Sequence, residues 1–385
     1  GLCELFIRKR ANIDQNILNK YLKKNKEIWI KQNVKKLNKE NILITNFVHH
    51  PGYTIMEGLF GNYLSNHFGL NAFALIDYKD KFGKKIIDSF GITNFINHYK
   101  ITLFYRIRYL FASYTILKKV KSIDDFIDFN FQDINFGRCV YDHIIRHTSY
   151  GTIDQINYKV FFFLSEALFF DMIYKNFFNK YKFSYISMGE TQYLPSSIIF
   201  QNALKHNVKV ICRIGGPKKI GARVYNSKDE RLMSNFKIQK KSFEKKFSQS
   251  KKIISAKGYE NLNKVFAGKE HHPDPNSELN FNLNNQNSKN KNELLKIFNW
   301  DESRKICIIF SHNLFDGNYN NQWRIFKDNL TWLRETLNYI KKLNQNVYWI
   351  VKDHPSDYGA NKNKNTIPII IIKEILLNNI RARTR

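Results

Sequence analysis

Ile42-Leu43-Ile44-Thr45-Asn46-Phe47-Val48 is a short β-rich run, and it breaks into His49-His50-Pro51-Gly52. From Tyr53 to Phe68 apolar residues recur at Ile55, Leu59, Phe60, Tyr63 and Leu64, which is a helical spacing, and Asn71 to Asp77 reads as a second strand. Strand, turn, helix and strand in such a short span make a βαβ unit with a right-handed crossover. That unit sets the fold class as α/β.

Working outward, a helical, aromatic middle is expected from about Ile86 to Lys182. Alternation resumes with Phe183 to Met188 as a strand, Leu194 to His206 as a helix and Val208 to Ile214 as a strand closed by Gly215-Gly216-Pro217. Asp229 to Phe247 and Lys251 to Gly268 read as charged helices. Composition changes at Pro273-Asp274-Pro275-Asn276, and residues 276–292 are dominated by Asn, Ser and Lys, a linker signature. Beyond it Lys305 to Phe310 is a near-continuous apolar strand of the parallel-sheet type. A helix follows from about Lys327 to Leu343, then a strand from Val347 to Val351 and a last apolar run from Ile367 to Ile372.

The expected organisation is a basic amphipathic segment at 1–40, a Rossmann-like domain at 41–272, an Asn/Lys-rich linker at 273–299 and a partial Rossmann-like domain at 300–385. The two domains are expected to face each other across a cleft, with the second one truncated at its C-terminal side. Gly1 in place of Met and the uncapped Arg381-Ala382-Arg383-Thr384-Arg385 lead to the expectation of a fragment.

The formal charge is +29, from 62 Lys and Arg against 33 Asp and Glu. Such a field favours anionic partners: nucleotide phosphates, acidic polymers, nucleic acid or a membrane surface. Lys, Asn, Ile and Phe are enriched together, so compositional bias with solvated lysines accounts for much of the excess. The segment 1–40 concentrates its lysines between apolar residues at loosely helical spacing. It reads either as an ordinary surface helix or as a helix lying on an anionic membrane.

Cys3, Cys139, Cys212 and Cys307 lie far apart, a pattern that fits a reducing compartment better than a disulfide framework or a zinc ribbon. Val160 to Tyr174 is interrupted by Glu166 and Asp171 and is too short to span a bilayer.

Four strand tips carry the candidate chemistry, because ligands of α/β sheets bind where the carboxyl ends of strands meet helix N-termini. After the first strand, His50 beside Gly52 can accept a proton from a hydroxyl; the alternative is a turn with solvated histidines. After Tyr185-Ile186-Ser187-Met188, Glu190 is a partly desolvated carboxylate suited to a base; the alternative is a cap for the next helix. Ser311-His312-Asn313 can bind a pyrophosphate or ribose, or can be a polar turn. Lys352-Asp353-His354-Pro355-Ser356 offers a cation, an imidazole and a hydroxyl, with Pro355 fixing φ where the next segment starts. The sequence contains no GxGxxG, Walker A, HExxH or GxSxG motif, and His271-His272 lacks further ligands at metal spacing. No metal site is assigned.

Ile308-Ile309-Phe310-Ser311-His312-Asn313-Leu314-Phe315-Asp316, Trp332-Leu333-Arg334-Glu335-Thr336 and Trp349-Ile350-Val351-Lys352-Asp353-His354-Pro355 together resemble bacterial capsule and surface-polysaccharide biosynthesis proteins, which are GT-B-type glycosyltransferases. Asn135-Phe136-Gly137-Arg138-Cys139-Val140-Tyr141-Asp142-His143-Ile144-Ile145-Arg146 resembles a further block of that group. The likeness spans residues 41–358 and is most specific over 306–356. Two features of such families have no counterpart: the Thr/Gly segment with its ribose-gripping Glu, and an Asp-Asp-Gly base motif, since Asp124-Asp125 precedes Phe126.

The resemblance implies a metal-independent transferase, cytoplasmic and peripheral at the inner membrane face, with no cofactor beyond a CMP- or UDP-linked sugar as co-substrate. His354, Pro355 and Ser356 would contact the donor, with Ser311, His312 and Lys352 nearby. His50 or Glu190 would take the proton of the acceptor, a polysaccharide or its lipid-linked precursor. Two other readings remain at this stage: a non-catalytic module for acidic polysaccharide or nucleic acid, and a polyol-phosphate transferase on the same two-domain plan.

Overall fold

The computed structural model describes residues 14–30, 40–48, 50–77, 79–98, 103–148, 151–216, 219–226, 240–266, 290–317, 325–343 and 347–352. The chain divides into two compact units, residues 1–233 with 319–322, and residues 234–318 with 323–385. The change of unit falls at 233/234, ahead of the boundary expected at 273. The charged helix α9 (Lys240–Phe266), assigned from sequence to the first domain, therefore belongs to the second unit.

Unit 1 is built on a mixed six-stranded sheet. Its strands are β1 (Asn41–Thr45), β2 (Asn71–Asp77), β3 (Asn94–His98), β6 (Tyr185–Met188), β7 (Lys209–Gly216) and β8 (Lys219–Tyr225), in the order β3-β2-β1-β6-β7-β8. All neighbours are parallel except β7 and β8, which pair antiparallel from Val210↔Tyr225 to Gly216↔Lys219. Side chains alternate between the two faces of a strand, and here each face feeds its own core. Leu43, Leu75, Ile186 and Val210 point into one; Ile42, Ile44, Ala74 and Ile211 point into the other.

The first core is closed by α6 (Phe136–Thr148), α7 (Tyr158–Lys180) and α8 (Ser196–Lys205), which contribute Tyr141, Tyr174, Phe177 and Phe200, all fully buried. In the quoted block Phe136 to Ile145, every residue except Arg138 is buried. A side chain at Gly137 would overlap the carbonyl oxygen of Phe126 in α5 (Ile123–Ile127), so a glycine is needed where the two helices meet.

The second core is closed by α2 (Pro51–Phe68), α3 (Lys81–Asp88) and α1 (Gln15–Ile30). Part of the apolar surface of α1 is used inside the protein: Leu18 is buried, Leu22 and Trp29 pack on the same core, and Asn25 donates to Ser89 Oγ at 2.9 Å, while Ile17 and Ile28 are exposed. Residues 1–13 and 31–39 lie outside the described residues.

Between β3 and β6 the chain makes a helical excursion through α4 (Leu103–Leu117), α5, the two-stranded turn β4 (Asn130–Phe131) and β5 (Ile134–Asn135), α6 and α7. Strand β3 occupies part of the stretch expected to be helical. Its Asn and His residues mask the strand pattern, as an edge position permits.

Unit 2 contains α9, broken at Ser250 (φ −141°), α10 (Lys291–Phe298), β9 (Lys305–Phe310), α11 (Asn329–Lys342) and β10 (Val347–Lys352). The expected linker 273–299 lies outside the described residues as far as 289. Its end is helical, started by a capping box between Asn290 and Glu293. β9 and β10 pair parallel from Lys305↔Val347 to Phe310↔Lys352, and α11 packs Leu330, Leu333, Leu337 and Ile340 against Ile309 and Val351. Among the described residues no helix is long and apolar enough to cross a membrane.

Candidate functional site

The sheet order of unit 1 contains a switch point. From β1 the chain crosses through α2 to β2 on one side; β6 pairs with the other side of β1 and leads through α8 to β7. Connections that diverge from adjacent parallel strands leave a crevice at the strands' carboxyl ends. There the structure has a shallow open depression, formed by Thr45 to Val48 after β1, Tyr53 and Glu57 of α2, Gly189 and Glu190 after β6, and Ser196 at the start of α8.

Its walls are held by side-chain hydrogen bonds. Thr45 Oγ1 donates to the Ser187 carbonyl, and Asn46 is fixed between Asp80, to which it donates at 3.3 Å, and Thr54, from which it accepts at 3.2 Å.

Glu57 is the residue that sequence reading overlooked. It is 4 % exposed, and its Oε1 accepts from Arg213 Nε of β7 at 3.1 Å, with Arg213 itself 7 % exposed. Its Oε2 is buried and meets no hydrogen-bond partner. Burial pushes its carboxyl up to about 7, the nearby Glu190 charge adds to the rise, and the Arg213 guanidinium opposes it without prevailing. Any side chain at position 189 would overlap Glu57 Oε1, so Gly189 admits the carboxylate to the crevice. The available sequence signal was an interruption: Glu57 breaks the apolar run Ile55-Met56 to Leu59-Phe60, and Arg213 breaks the strand Val210 to Ile214.

Of the two residues expected to act as bases, Glu190 lines the depression and His50 does not. Glu190 Oε1 accepts the backbone N–H groups of Thr191 and Gln192, at 2.8 and 2.7 Å, so it shapes the loop ahead of α8. His50 is the N-cap of α2: its Nδ1 accepts from Gly52 N at 3.2 Å, and its ring meets Tyr53 edge-on. His49 lies outside the described residues.

In unit 2 the parallel register brings two expected tips together. Ser311 N donates to the Lys352 carbonyl at 2.9 Å, so the Ser311-His312 turn and the end of β10 share one edge. Asn329, in the first turn of α11, reaches back with Nδ2 to the Asn313 carbonyl at 2.7 Å and to His312 Nδ1 at 3.0 Å. Asp328 Oδ1 accepts from Thr331 N and caps the same helix; Lys352, at the end of β10, is exposed. Its Nζ stands 5.8 Å over the Phe310 ring. His354, Pro355 and Ser356 lie outside the described residues, as does His271-His272. Among the described residues no three His, Cys, Asp or Glu side chains converge as a metal site would require.

No family model, no curated protein and no solved structure matches the chain.

Proposed function

We propose that the protein is a metal-independent glycosyltransferase of the GT-B type, transferring a sugar from a nucleotide-sugar donor to a surface polysaccharide or its lipid-linked precursor. The observation that carries this reading is the parallel pairing of β9 with β10, which sets Ser311 and His312 on the same edge as Lys352. The exposed His312 imidazole and Lys352 ammonium at adjacent strand tips suit a diphosphate and ribose, with Ser311 buried between the chain's own groups. The resemblance over residues 306–356 adds His354, Pro355 and Ser356 to that donor set.

On this reading unit 1 binds the acceptor in the switch-point depression. The acceptor hydroxyl gives its proton to a carboxylate, its oxygen bonds to the anomeric carbon, and the nucleotide phosphate leaves with the electron pair of the broken bond. Attack opposite to the leaving group inverts the anomeric centre. Lys352 offsets charge on the departing phosphate. For the base, Glu57 is favoured over Glu190 and His50: its carboxyl is held up to about 7, half ionised at neutral pH, and its Oε2 is uncommitted.

A thermal-shift panel with CMP, CDP, UDP and GDP tests the donor half. One nucleotide should raise Tm, and Lys352→Ala should weaken that response about tenfold, in line with loss of one charged contact. No shift with any nucleotide at millimolar concentration, together with salt-sensitive retention of an acidic polysaccharide, would replace this reading by the polyanion-binding module.

A further inference from the structure

Helix α4 carries apolar side chains on its outer side. Its inner face is occupied: Tyr105, Tyr109, Ala112 and Ile116 pack on the aromatic core, both tyrosine rings lie against Phe169, and Ser113 Oγ donates to the Phe161 carbonyl at 2.8 Å. The opposite face carries Leu103, Phe104, Ile107, Phe111 and Tyr114, exposed by 73, 70, 49, 70 and 52 %. At 100° per residue these five fall within one stripe of about 100°, running about three turns along the helix. Aromatic rings at such exposure lose free energy in water and gain it at an interface.

The charge around the stripe identifies what it meets. Arg106 and Arg108 flank it, Lys118 stands over the Tyr114 ring and Lys119 and Lys121 follow; no acidic residue occurs from 103 to 121. A second copy of the chain laid on this face would bring the two cationic rims together. An anionic bilayer would take the rings among its acyl chains and the cations among its headgroups.

We propose that the outer face of α4, centred on Phe104 and Phe111, docks the protein on an anionic lipid bilayer. The proposal is independent of the reaction assigned above. It also gives the membrane contact a different location from the basic segment 1–40, whose helix α1 turns Leu18, Leu22 and Trp29 inward.

Co-sedimentation of the full chain with extruded vesicles tests it, comparing pure phosphatidylcholine with phosphatidylcholine containing phosphatidylglycerol. The chain should bind the second preparation and not the first, and binding should fall as salt rises. Phe104→Ser with Phe111→Ser should reduce binding at least tenfold with little change in Tm, since both rings are largely exposed and Phe104 meets the protein edge-on at Tyr105; Arg106→Gln with Arg108→Gln should reduce it less and flatten the salt dependence. Failure of the wild-type chain to bind phosphatidylglycerol vesicles overturns the proposal. Undiminished binding by the double Ser variant also overturns it, pointing to residues 1–40 instead. If the variant turns a sedimenting dimer into a monomer and the wild-type chain ignores vesicles, the face is an interface between copies.

Discussion

The switch point of unit 1 and the strand tips of unit 2 both end parallel strands in polar groups, yet they are built from different material. The first buries an ion pair, Glu57 with Arg213, beside the crevice that Glu57 helps to line. The second keeps its cation, Lys352, exposed and ties its turn together with neutral hydrogen bonds through Asn329 and the backbone. A buried charge is coupled to folding, because ionising it costs solvation that only its partner offsets. A hydrated charge is nearly independent of folding and can exchange water for an anion at little cost to stability.

The largest expected effect removes the partner inside the buried pair. Arg213→Met should cost up to about 3 kcal/mol in urea unfolding at pH 7, because the Glu57 carboxyl, driven to its protonated form, is left buried without the hydrogen bond from Nε. Adding Glu57→Gln to that variant should recover part of the loss. A cost below about 1 kcal/mol would mean that water reaches the pair and that the contrast with unit 2 is false.

Next comes pH. Below pH 4.5, the ordinary value for Glu, the Glu57 carboxyl is protonated in folded and unfolded chains alike and carries no penalty. Between 4.5 and about 7 the unfolded chain ionises while the folded one resists, so stability falls; above about 7 the loss is constant. At about 1.4 kcal/mol per pH unit the loss amounts to about 3 kcal/mol. His143 acts in the opposite direction: burial, with some help from His147, keeps its imidazole neutral, so its contribution is full above 6.5 and is lost as pH falls below that value. Urea midpoints followed across pH should therefore show Glu57→Gln removing the fall above 4.5 and leaving the acid-side loss of His143 on its own.

The smallest effect is expected in unit 2. Lys352→Ala should change stability by no more than about 0.5 kcal/mol, as exposed substitutions do, even while it weakens nucleotide binding. A loss of about 2 kcal/mol or more in urea unfolding would show that this tip is a structural element like the first.

What the sequence revealed follows from how local each signal is. β1, α2 and β2 were legible because one βαβ unit buries both faces of its strands, and the apolar runs record it. β8 was missed because an antiparallel edge strand buries one face only, and Lys219-Ile220-Gly221-Ala222-Arg223-Val224-Tyr225 looks like a loop. Glu190 was legible as a carboxylate just past a strand. Glu57 was not, since its meaning depends on Arg213, which lies 156 residues away in sequence. The pairing of Ser311 with Lys352 was legible because a single βαβ unit joins them.

That separation also orders events in time. β1 and β2 are joined within a short span, so their pairing closes a small loop, whereas β1 cannot meet β6 until the whole helical excursion has been made. At a synthesis rate of about 5–20 residues per second, roughly 8–30 s pass between the emergence of Glu57 and that of Arg213. During that interval the carboxylate stays in water and the growing chain cannot close its central strands. The crevice at the switch point is thus among the last parts of unit 1 to exist, and a correctly formed ion pair there marks a finished sheet.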